Sequence, residues 1–344
     1  MDTAPPSSSS RRPRAVRWLG ALVAVGLAAV LLLGAMELGA RALGLGDPIL
    51  YYSTVEGGVR PLARQASERV GGARVTIDEN GFRSVSTVPT ADSSALRILY
   101  LGGSVTWGGS QVDDPDTYPE RASEVVRSAT GRPVYAMNAG VNGTSLLNAA
   151  EVYAVEGARA DAVVWLFPWG STVRPYISLG PLLPARLAPR FAAVELVDQL
   201  LFRYWLGAFR ESSAPGEPFT VDDLPPGYDD VASHETEARR AANLAALQSV
   251  VADAQRRGVP ILVGVTPTVR GDGPLPVPSE AQAALDEARA AGAVVFDAHA
   301  VVATEGGPDG LFLDGVHFST AGHHAIGEAL GALILPTLAD STAR

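Results

Sequence analysis

Three residues in this sequence have the types and the spacing of a serine nucleophile with its base. Ser104 follows the apolar run ILYLGG, and Asp314 and His317 lie three residues apart in DGVHF. A serine hydroxyl becomes a good nucleophile only when a base accepts its proton, and histidine is the usual base near neutral pH. The histidine needs a partner that fixes its tautomer, and one turn of chain can place Asp314 against His317. These residue types favour covalent catalysis through Ser104.

Each of these signals has a plainer interpretation when it is taken alone. GGSVTWGG also describes a polar residue in a glycine-rich turn, and an isolated D-x-x-H pair is more often structural. His323 and His324 fall within a predicted helix, where we expect packing or surface positions. His234 begins a polar helix and is expected to be solvated, and His299 follows a strand, where it has a structural explanation. The catalytic interpretation therefore depends on further segments of the chain.

The composition narrows the chemistry that the chain can perform. There is no cysteine, which excludes disulfides, thiolate metal sites, a cysteine nucleophile and a lipoprotein anchor. All basic residues are arginine, so a lysine Schiff base is excluded as well. The net charge of −10 argues against a nucleic-acid partner, whose backbone requires clustered cations. No metal-ligand spacing and no phosphate-binding glycine motif stands out, so we expect no metal and no cofactor.

Apolar strands alternate with helical patterns through most of the chain, which predicts an α/β fold. A parallel sheet covered by helices on both faces, a three-layer α/β/α sandwich, is the usual outcome of this alternation. The predicted strands are Arg97–Gly102, Pro133–Gly140, Asp161–Phe167, Val259–Val265 and Ala293–Ala298. The predicted helices are Thr117–Thr130, Ser145–Gly157, His234–Arg257, Pro278–Ala291 and Ala321–Leu333.

Polar segments follow the first three predicted strands. Ser104 follows the first strand, NAGVNGTS (Asn138–Ser145) ends and follows the second, and PWGST (Pro168–Thr172) follows the third. DGVHFSTAGHH (Asp314–His324) precedes the last helix. Functional groups in open parallel sheets gather beyond the carboxyl ends of the strands. We therefore expect the four segments to meet at one edge of the sheet.

The order of GGSVTWG, NAGVNGTS and DGVHFSTAGH resembles the SGNH/GDSL hydrolase family of esterases and lipases. The similarity covers residues 97–333 apart from an insertion, and it implies a flavodoxin-like sheet with a mainly parallel strand arrangement. It also implies that Ser104 is the nucleophile, His317 the base and Asp314 its orienting partner. The backbone N–H groups of Ser104 and Gly143 would then form the oxyanion hole.

The chain departs from the family pattern at two places. Gly103 stands where the family usually has an aspartate. This departure also occurs within the broader family. After the third strand, Gly170 occupies the position of an asparagine that donates to the oxyanion, and Ser171 the position of an aspartate. Loss of one such donor typically lowers turnover by about 10²–10³-fold. Asn142, Ser171 and Thr172 are candidate substitute donors, and weakened or lost activity is the alternative.

The N-terminus predicts a single membrane span. Residues 1–17 form a cytoplasmic, disordered Pro/Ser-rich and arginine-containing tail, followed by 19 residues without a charge, Trp18–Met36. A length of this kind matches the hydrocarbon thickness of a bilayer, so we favour an uncleaved signal anchor. The arginines before the span place the N-terminus inside and the rest of the chain outside. The alternative is a secreted protein released by cleavage near Ala40–Ala42.

The remaining segments complete the predicted organisation. Residues 37–94 are expected to form a membrane-proximal connector with one short hairpin near Val75–Phe82. A hydrolase-like domain spans 95–337, and 338–344 form a tail. The domain contains an insertion at about 174–230 with one amphipathic helix, roughly Phe191–Phe209. The insertion could be a lid over the site, a surface resting on the membrane, or a helix packed on the flank of the domain.

These features predict an exported, membrane-anchored serine esterase of the bacterial cell envelope. Its substrate would be a small ester or an acylated glycan or lipid of the envelope, from which it removes acyl or acetyl groups. An O-acyltransferase would use the same acyl-serine intermediate and pass the acyl group to a sugar hydroxyl. The missing asparagine leaves a third hypothesis open, a non-catalytic envelope protein that binds or assembles. The sequence does not predict an oligomeric state.

Overall fold

A computed structural model of the protein describes most of the chain. The described residues are 14–46, 48–49, 51–54, 58–68, 72–86, 88–90, 94–109, 111–174, 176, 191–204, 228–270 and 273–342.

The centre of the protein is a five-stranded sheet in which every strand pair is parallel. Its strands are β5 (Leu96–Leu101), β6 (Val134–Asn138), β7 (Ala162–Pro168), β8 (Ile261–Thr266) and β11 (Val294–Val295). Every residue of β6, β7 and β8 is buried, as continuous apolar runs in a doubly covered parallel sheet require. The spatial order is β6-β5-β7-β8-β11. This is the flavodoxin-like order, and it confirms the predicted fold class.

Alternate residues of each strand point to opposite faces of the sheet, and helices cover both faces. The helices of the domain are α2 (Ser104–Trp107), α3 (Tyr118–Thr130), α4 (Leu146–Glu156), α6 (Tyr228–Arg257), α7 (Ser279–Ala290), α8 (Ala298–Thr304) and α9 (Thr320–Thr342). Leu99 of β5 packs in a core that contains Val152 of α4 and Val250 of α6. Its neighbour Tyr100 packs in a second core with Val126 of α3 and α9 side chains such as Leu330. The result is a three-layer sandwich.

The residues before β5 form two hairpins and a return segment. Strand β1 (Tyr51–Thr54) pairs with β2 (Gly58–Pro61), and β3 (Gln65–Glu68) pairs with β4 (Arg74–Ile77). The chain then turns so that Ile77 bridges to Arg83. This segment lies in the predicted connector, but Phe82 and Arg83 are fully buried against the α/β body. Phe82 belongs to the same core as Leu99, so the packed body extends N-terminally of residue 95.

The first helix, α1 (Arg14–Ala42), is longer than the predicted span at both ends. Trp18–Ala42 contains 25 residues of high mean hydropathy and is long and apolar enough to cross a membrane. Its large apolar side chains are exposed along the span; Leu22 and Leu31, for example, are 68% and 64% exposed. A membrane anchor and a signal sequence both fit this helix.

Two other predicted boundaries differ from the structure. Helix α9 continues to Thr342 and buries Leu338, so the residues expected to form a tail extend the last helix. In the insertion, the predicted helix corresponds to α5 (Ala192–Tyr204), which packs against the end of α1. Residues 177–190 and 205–227 of the insertion lie outside the described residues. Two short strands, β9 (Val269–Arg270) and β10 (Gly273–Pro274), form a small hairpin beyond β8.

Candidate active site

Ser104 begins the short helix α2 immediately after a tight turn from β5. The turn is Gly102–Gly103, and a Cβ at Gly102 would collide with the Thr106 hydroxyl and with the carbonyl oxygen of Leu166. Only glycine fits this close approach. The position lies at the switch point of the sheet, where the chain leaves β5 for β6 on one side and returns to β7 on the other. Ser104 is half-buried there.

His317 and Asp314 lie next to Ser104, although the two segments are separated by more than two hundred residues. The His317 Nε2 atom is 2.8 Å from the Ser104 Oγ atom, and its Nδ1 atom is 2.7 Å from Asp314 Oδ2. With the proton of the neutral ring on Nδ1, donated to Asp314, Nε2 accepts the hydroxyl proton of Ser104. The structure thus brings together the three residues that the sequence predicts to act together.

Asp314 is held as a carboxylate by several donors. Its Oδ1 atom accepts the backbone N–H groups of Val316 and His317, each at 2.7 Å. Partial burial would raise the pKa of Asp314, but the hydrogen bonds from the His317 side chain and from these N–H groups outweigh it and lower the pKa to about 2. Asp314 therefore stays ionised near neutral pH and can hold the His317 ring by its Nδ1 atom.

The loop that carries this pair is fixed to the body of the domain. The Val269 N–H of the β9 hairpin donates to the Gly315 carbonyl at 2.7 Å, and the Leu313 N–H donates to the His317 carbonyl at 2.8 Å. Phe318, the next residue, is buried in the core beneath the loop. The burial of Phe318, together with these hydrogen bonds, therefore fixes the position of His317.

The polar segments after the first three strands of the sheet are the first block (Gly102–Gly108), the second block (Asn138–Ser145) and the third block (Pro168–Thr172). The second block lies against α2 through Asn138, the last residue of β6. The buried Asn138 side chain donates to the Thr106 carbonyl at 3.0 Å and accepts the Gly140 N–H at 3.0 Å. A Cβ at Gly140 would collide with the Trp107 backbone nitrogen, so the two backbones touch. The sequence marked Asn138 only as the start of this block, and the structure shows that its side chain joins the first and second blocks.

The predicted backbone donors are open. Gly143 adopts a left-handed backbone conformation, with φ of 77°. Neither its N–H nor that of Ser104 has a hydrogen-bond acceptor among the residues that the structure describes. Asn142, beside Gly143, is exposed, and its side chain makes no hydrogen bond to any described residue. The two N–H groups and the Asn142 amide are therefore available to a ligand.

The third block leads from the end of β7 into a short 3₁₀ helix, Trp169–Val173. Gly170 is exposed, and no atom lies within 4 Å of the position that its Cβ would take. The Thr172 hydroxyl donates to the Trp169 carbonyl at 2.7 Å, so its proton is already used within the turn. Ser171 is buried, and its hydroxyl makes no hydrogen bond to any described residue. Of the predicted substitute donors, Asn142 and Ser171 remain free and Thr172 does not.

Asn243 of α6 holds the third block in place, and it was missed by sequence reasoning. Its side chain is fully buried and donates to the Thr172 carbonyl at 2.9 Å and the Arg174 carbonyl at 3.1 Å. Its oxygen accepts the Leu147 N–H at the start of α4. A single asparagine in a long polar helix carries no pattern that would distinguish it from a solvated residue.

Arg83 supports the other side of the site and was also missed. It is buried and pairs with the buried carboxylate of Asp114 at 2.7 Å. The same guanidinium donates to the carbonyls of Trp107 and Val112, at 2.5 and 2.6 Å. These carbonyls belong to the end of α2 and the loop that follows it. Arg83 therefore fixes the chain just beyond the Ser104 helix.

The other histidines take no part in this cluster. His323 is buried, accepts the Tyr118 N–H at 3.1 Å, and its burial lowers its pKa to about 3, so it is a neutral packing residue. His324 lies 2.7 Å from Asp116 at the protein surface. Burial lowers the pKa of His299, and the side chain of His234 lies outside the described residues. The described part of the chain contains no group of three or more His, Cys, Asp or Glu side chains that could hold a metal.

Comparisons with known proteins complete the description of the site. No protein-family model matches the chain, and no match was found among curated protein sequences. Solved structures with a similar arrangement include a lipase/acylhydrolase from Enterococcus faecalis, at 15% identity, TM-score 0.40, and coverage of 70% of this chain and 95% of that one.

Two further structures are similar to a comparable extent. An acetylxylan esterase from Geobacillus stearothermophilus has 15% identity and a TM-score of 0.38, with 71% of this chain and 94% of that one covered. A Desulfitobacterium hafniense protein described as lipolytic and of the G-D-S-L family has 12% identity and a TM-score of 0.36, with 69% and 98% covered. At these identities the similarity concerns the fold.

Proposed function

We propose that the protein is a serine hydrolase that cleaves carboxylic esters through an acyl-serine intermediate. The observation that carries this proposal is the continuous hydrogen-bonded chain from Ser104 Oγ through His317 to Asp314, with distances of 2.8 and 2.7 Å. The His317 and Asp314 side chains are about one-third exposed, at 34% and 38%, so a substrate can reach them. A nucleophile, a base and an orienting carboxylate in this geometry are the parts that acyl transfer requires.

The mechanism follows from the positions of these groups. Ser104 Oγ attacks the ester carbonyl while its proton passes to His317 Nε2, and Asp314 stabilises the imidazolium that forms. The N–H groups of Ser104 and Gly143 donate to the oxyanion of the tetrahedral intermediate. The intermediate collapses, and the alcohol leaves with the proton from His317. Water then loses a proton to His317 as it attacks the acyl-serine, which releases the carboxylic acid and restores Ser104.

We further propose that α1 remains attached and anchors the domain outside the membrane. Four arginines, Arg11, Arg12, Arg14 and Arg17, precede the apolar span, which favours an N-terminus on the cytoplasmic side. An anchored enzyme of this kind would act on acyl or acetyl esters of envelope glycans or lipids. If a sugar hydroxyl in place of water reaches the acyl-serine, the same residues perform acyl transfer. The Gly170 position favours a third role, binding without turnover.

The test uses the full-length protein in detergent with a short-chain chromogenic ester and a fluorophosphonate probe. We expect turnover and covalent labelling that are both lost in Ser104→Ala. If the unsubstituted protein shows neither turnover nor labelling, the hydrolase proposal is wrong and the binding role is favoured. Addition of a soluble oligosaccharide acceptor separates the two enzymatic roles, because a transferase forms an acylated sugar and a hydrolase forms free acid. The mass of the mature membrane-bound chain reports whether α1 is retained.

A further inference from the structure

The insertion helix α5 is joined to the end of the anchor helix by two reciprocal hydrogen bonds. Glu37 of α1 accepts the Ala193 N–H at the start of α5, at 2.9 Å. Glu195 of α5 accepts the Gly46 N–H just beyond the end of α1, at 2.8 Å. The two segments are separated by about 150 residues in sequence. Ala40, near the end of α1, is buried.

This joint lies at a defined depth relative to the anchor. The 19 uncharged residues Trp18–Met36 span about 28 Å as a helix, close to the roughly 30 Å hydrocarbon thickness of a bilayer. Glu37 is the first charged residue after that stretch, and it forms an ion pair with Arg41 at 2.8 Å. In a membrane-anchored chain with Trp18–Met36 inside the hydrocarbon, Glu37 would lie at its outer boundary, and the bond from the Ala193 N–H would hold the first turn of α5 at the same level.

The described part of α5 has uncovered apolar side chains beside this boundary. Phe191, just before the helix, is 52% exposed, and Val197 and Leu200 are 39% and 44% exposed. Val197 and Leu200 are three residues apart and share one face of the helix. The acidic Glu195 is turned away from solvent into its bond with Gly46. Leu43 at the end of the anchor is 74% exposed.

We propose that α5 is an interfacial helix whose apolar face lies on the outer surface of the lipid bilayer. This inference rests on the anchor part of the proposed function, because the bilayer must surround α1. Amphipathic helices of this kind bury their apolar face about 5–10 Å into the boundary between headgroups and acyl chains. The anchor and α5 then form one corner: one helix crosses the membrane, and the second lies in its surface. Such a corner fixes the height of the hydrolase-like domain above the lipid.

The absence of cysteine allows a direct test with single-cysteine variants of the full-length protein. Val197→Cys and Leu200→Cys report on α5. Val155→Cys, a 43% exposed valine on α4, is the matched control, and Leu31→Cys reports on the anchor span. Each variant is labelled with an environment-sensitive fluorophore and reconstituted in vesicles of phosphatidylcholine and phosphatidylglycerol. Quenching is measured with acrylamide in the water and with nitroxide lipids labelled near the headgroup or deep in the acyl chain.

We expect labels at 197 and 200 to be quenched most strongly by the shallow nitroxide and to be shielded several-fold from acrylamide relative to the label at 155. The label at 31 should respond to the deep nitroxide. If 197 and 200 behave like 155 while 31 is deep, the inference is wrong and the anchor stands. If 31 is not deep, the anchor proposal itself is wrong, and the inference falls with it.

Two other occupants of this face give distinct results, and either would overturn the inference. A second copy of the chain would shield 197 and 200 from acrylamide without nitroxide quenching, and the shielding would weaken on dilution in detergent. A lid over Ser104 would shield them in detergent and change their fluorescence on fluorophosphonate modification. Labelling of Ser104 by the fluorophosphonate probe confirms that each cysteine variant is folded.

Discussion

The two sides of the candidate site are built to different degrees. On the side of β5, Ser104 and His317 are in hydrogen-bonding contact, and their neighbours Val105 and Phe318 are buried in one core. On the side of β7, the turn is equally well anchored by Asn243, but Gly170 offers no side chain to a developing oxyanion. In this chain, the groups that move protons are therefore complete while the side-chain donor on the β7 side is missing. The predictions below test each side in turn.

Removal of the nucleophile has the largest expected effect. Ser104→Ala should lower kcat by at least about 10⁴-fold, because no other described hydroxyl lies against His317, and triad nucleophiles are worth about this much or more. The measurement is kcat for a short-chain ester, with Ser128→Ala, an exposed serine on α3, as the control. Equal loss in both variants would contradict the assignment of the nucleophile.

The orienting carboxylate is expected to matter nearly as much. Asp314→Asn keeps an oxygen for the N–H groups of Val316 and His317 but places an amide against the His317 ring, which favours the wrong tautomer. We expect kcat to fall by about 10²–10⁴-fold with the fold retained. The rate of fluorophosphonate labelling should fall in parallel, and an unchanged rate would show that Asp314 has no role in activating Ser104.

The side of β7, which lacks a side-chain oxyanion donor, is the weaker side of the site, and the side of β5 is the stronger one. The variant Gly170→Asn tests whether the missing donor limits the reaction. The site has space for the side chain, and the backbone there is not left-handed. A single oxyanion donor is worth about 10²–10³-fold when it is preorganised. We expect kcat to rise by about 10-fold, with Gly170→Ala unchanged. A fall in kcat would mean that another group, such as the Asn142 amide, already occupies the oxyanion position.

Asn243→Ala should loosen the weaker side without removing a reacting group. The change leaves the Leu147 N–H and the carbonyls of Thr172 and Arg174 without their buried partner, and loss of a buried hydrogen-bond partner costs about 1–3 kcal/mol. Denaturant unfolding should show a loss of stability of this order, together with a modest fall in kcat. Gln248→Ala, an exposed position on the same helix, is the control and should change neither quantity.

The smallest expected effect is a pH-dependence of stability that arises on the stronger side. The folded pKa of Asp314, about 2, lies below its ordinary value of 3.8, so its contribution to stability is present above pH 3.8 and is lost as the pH falls toward 2. The Tm of the unsubstituted protein should therefore fall more steeply between these values than that of Asp314→Asn. If the Tm of the two proteins changes in parallel with pH, the hydrogen bonds to the Asp314 carboxylate do not contribute to stability.

The residues of the stronger side could be predicted because local patterns reveal them. An apolar strand that ends in glycines marks Ser104, and a carboxylate three residues from an imidazole marks Asp314 and His317. The five strands were predicted to within a few residues of their ends for the same reason, since buried parallel strands are continuous apolar runs. Their flavodoxin-like order came with the family resemblance, and the structure confirms it.

The supporting residues could not be predicted, because their partners lie far away in the sequence. Arg83 meets Asp114 and the end of α2, and Asn243 meets two turns about 70 and 96 residues away. Nothing in the neighbourhood of either residue distinguishes it from a solvated one. Helix α1 extends past the uncharged stretch at both ends, and α9 runs through Pro336, a residue that usually ends a helix.

The burial of Arg83 also determines where the chain can be shortened. A protein that begins at residue 95 would lose the cation that faces Asp114, and an orphaned charge in a buried pair costs about 3–5 kcal/mol. The same cut would empty the space filled by Phe82. A fragment that lacks α1 should therefore start upstream of Tyr51, so that both hairpins and the return segment are retained. The packed body of this protein begins before β5, the first strand of the five-stranded sheet.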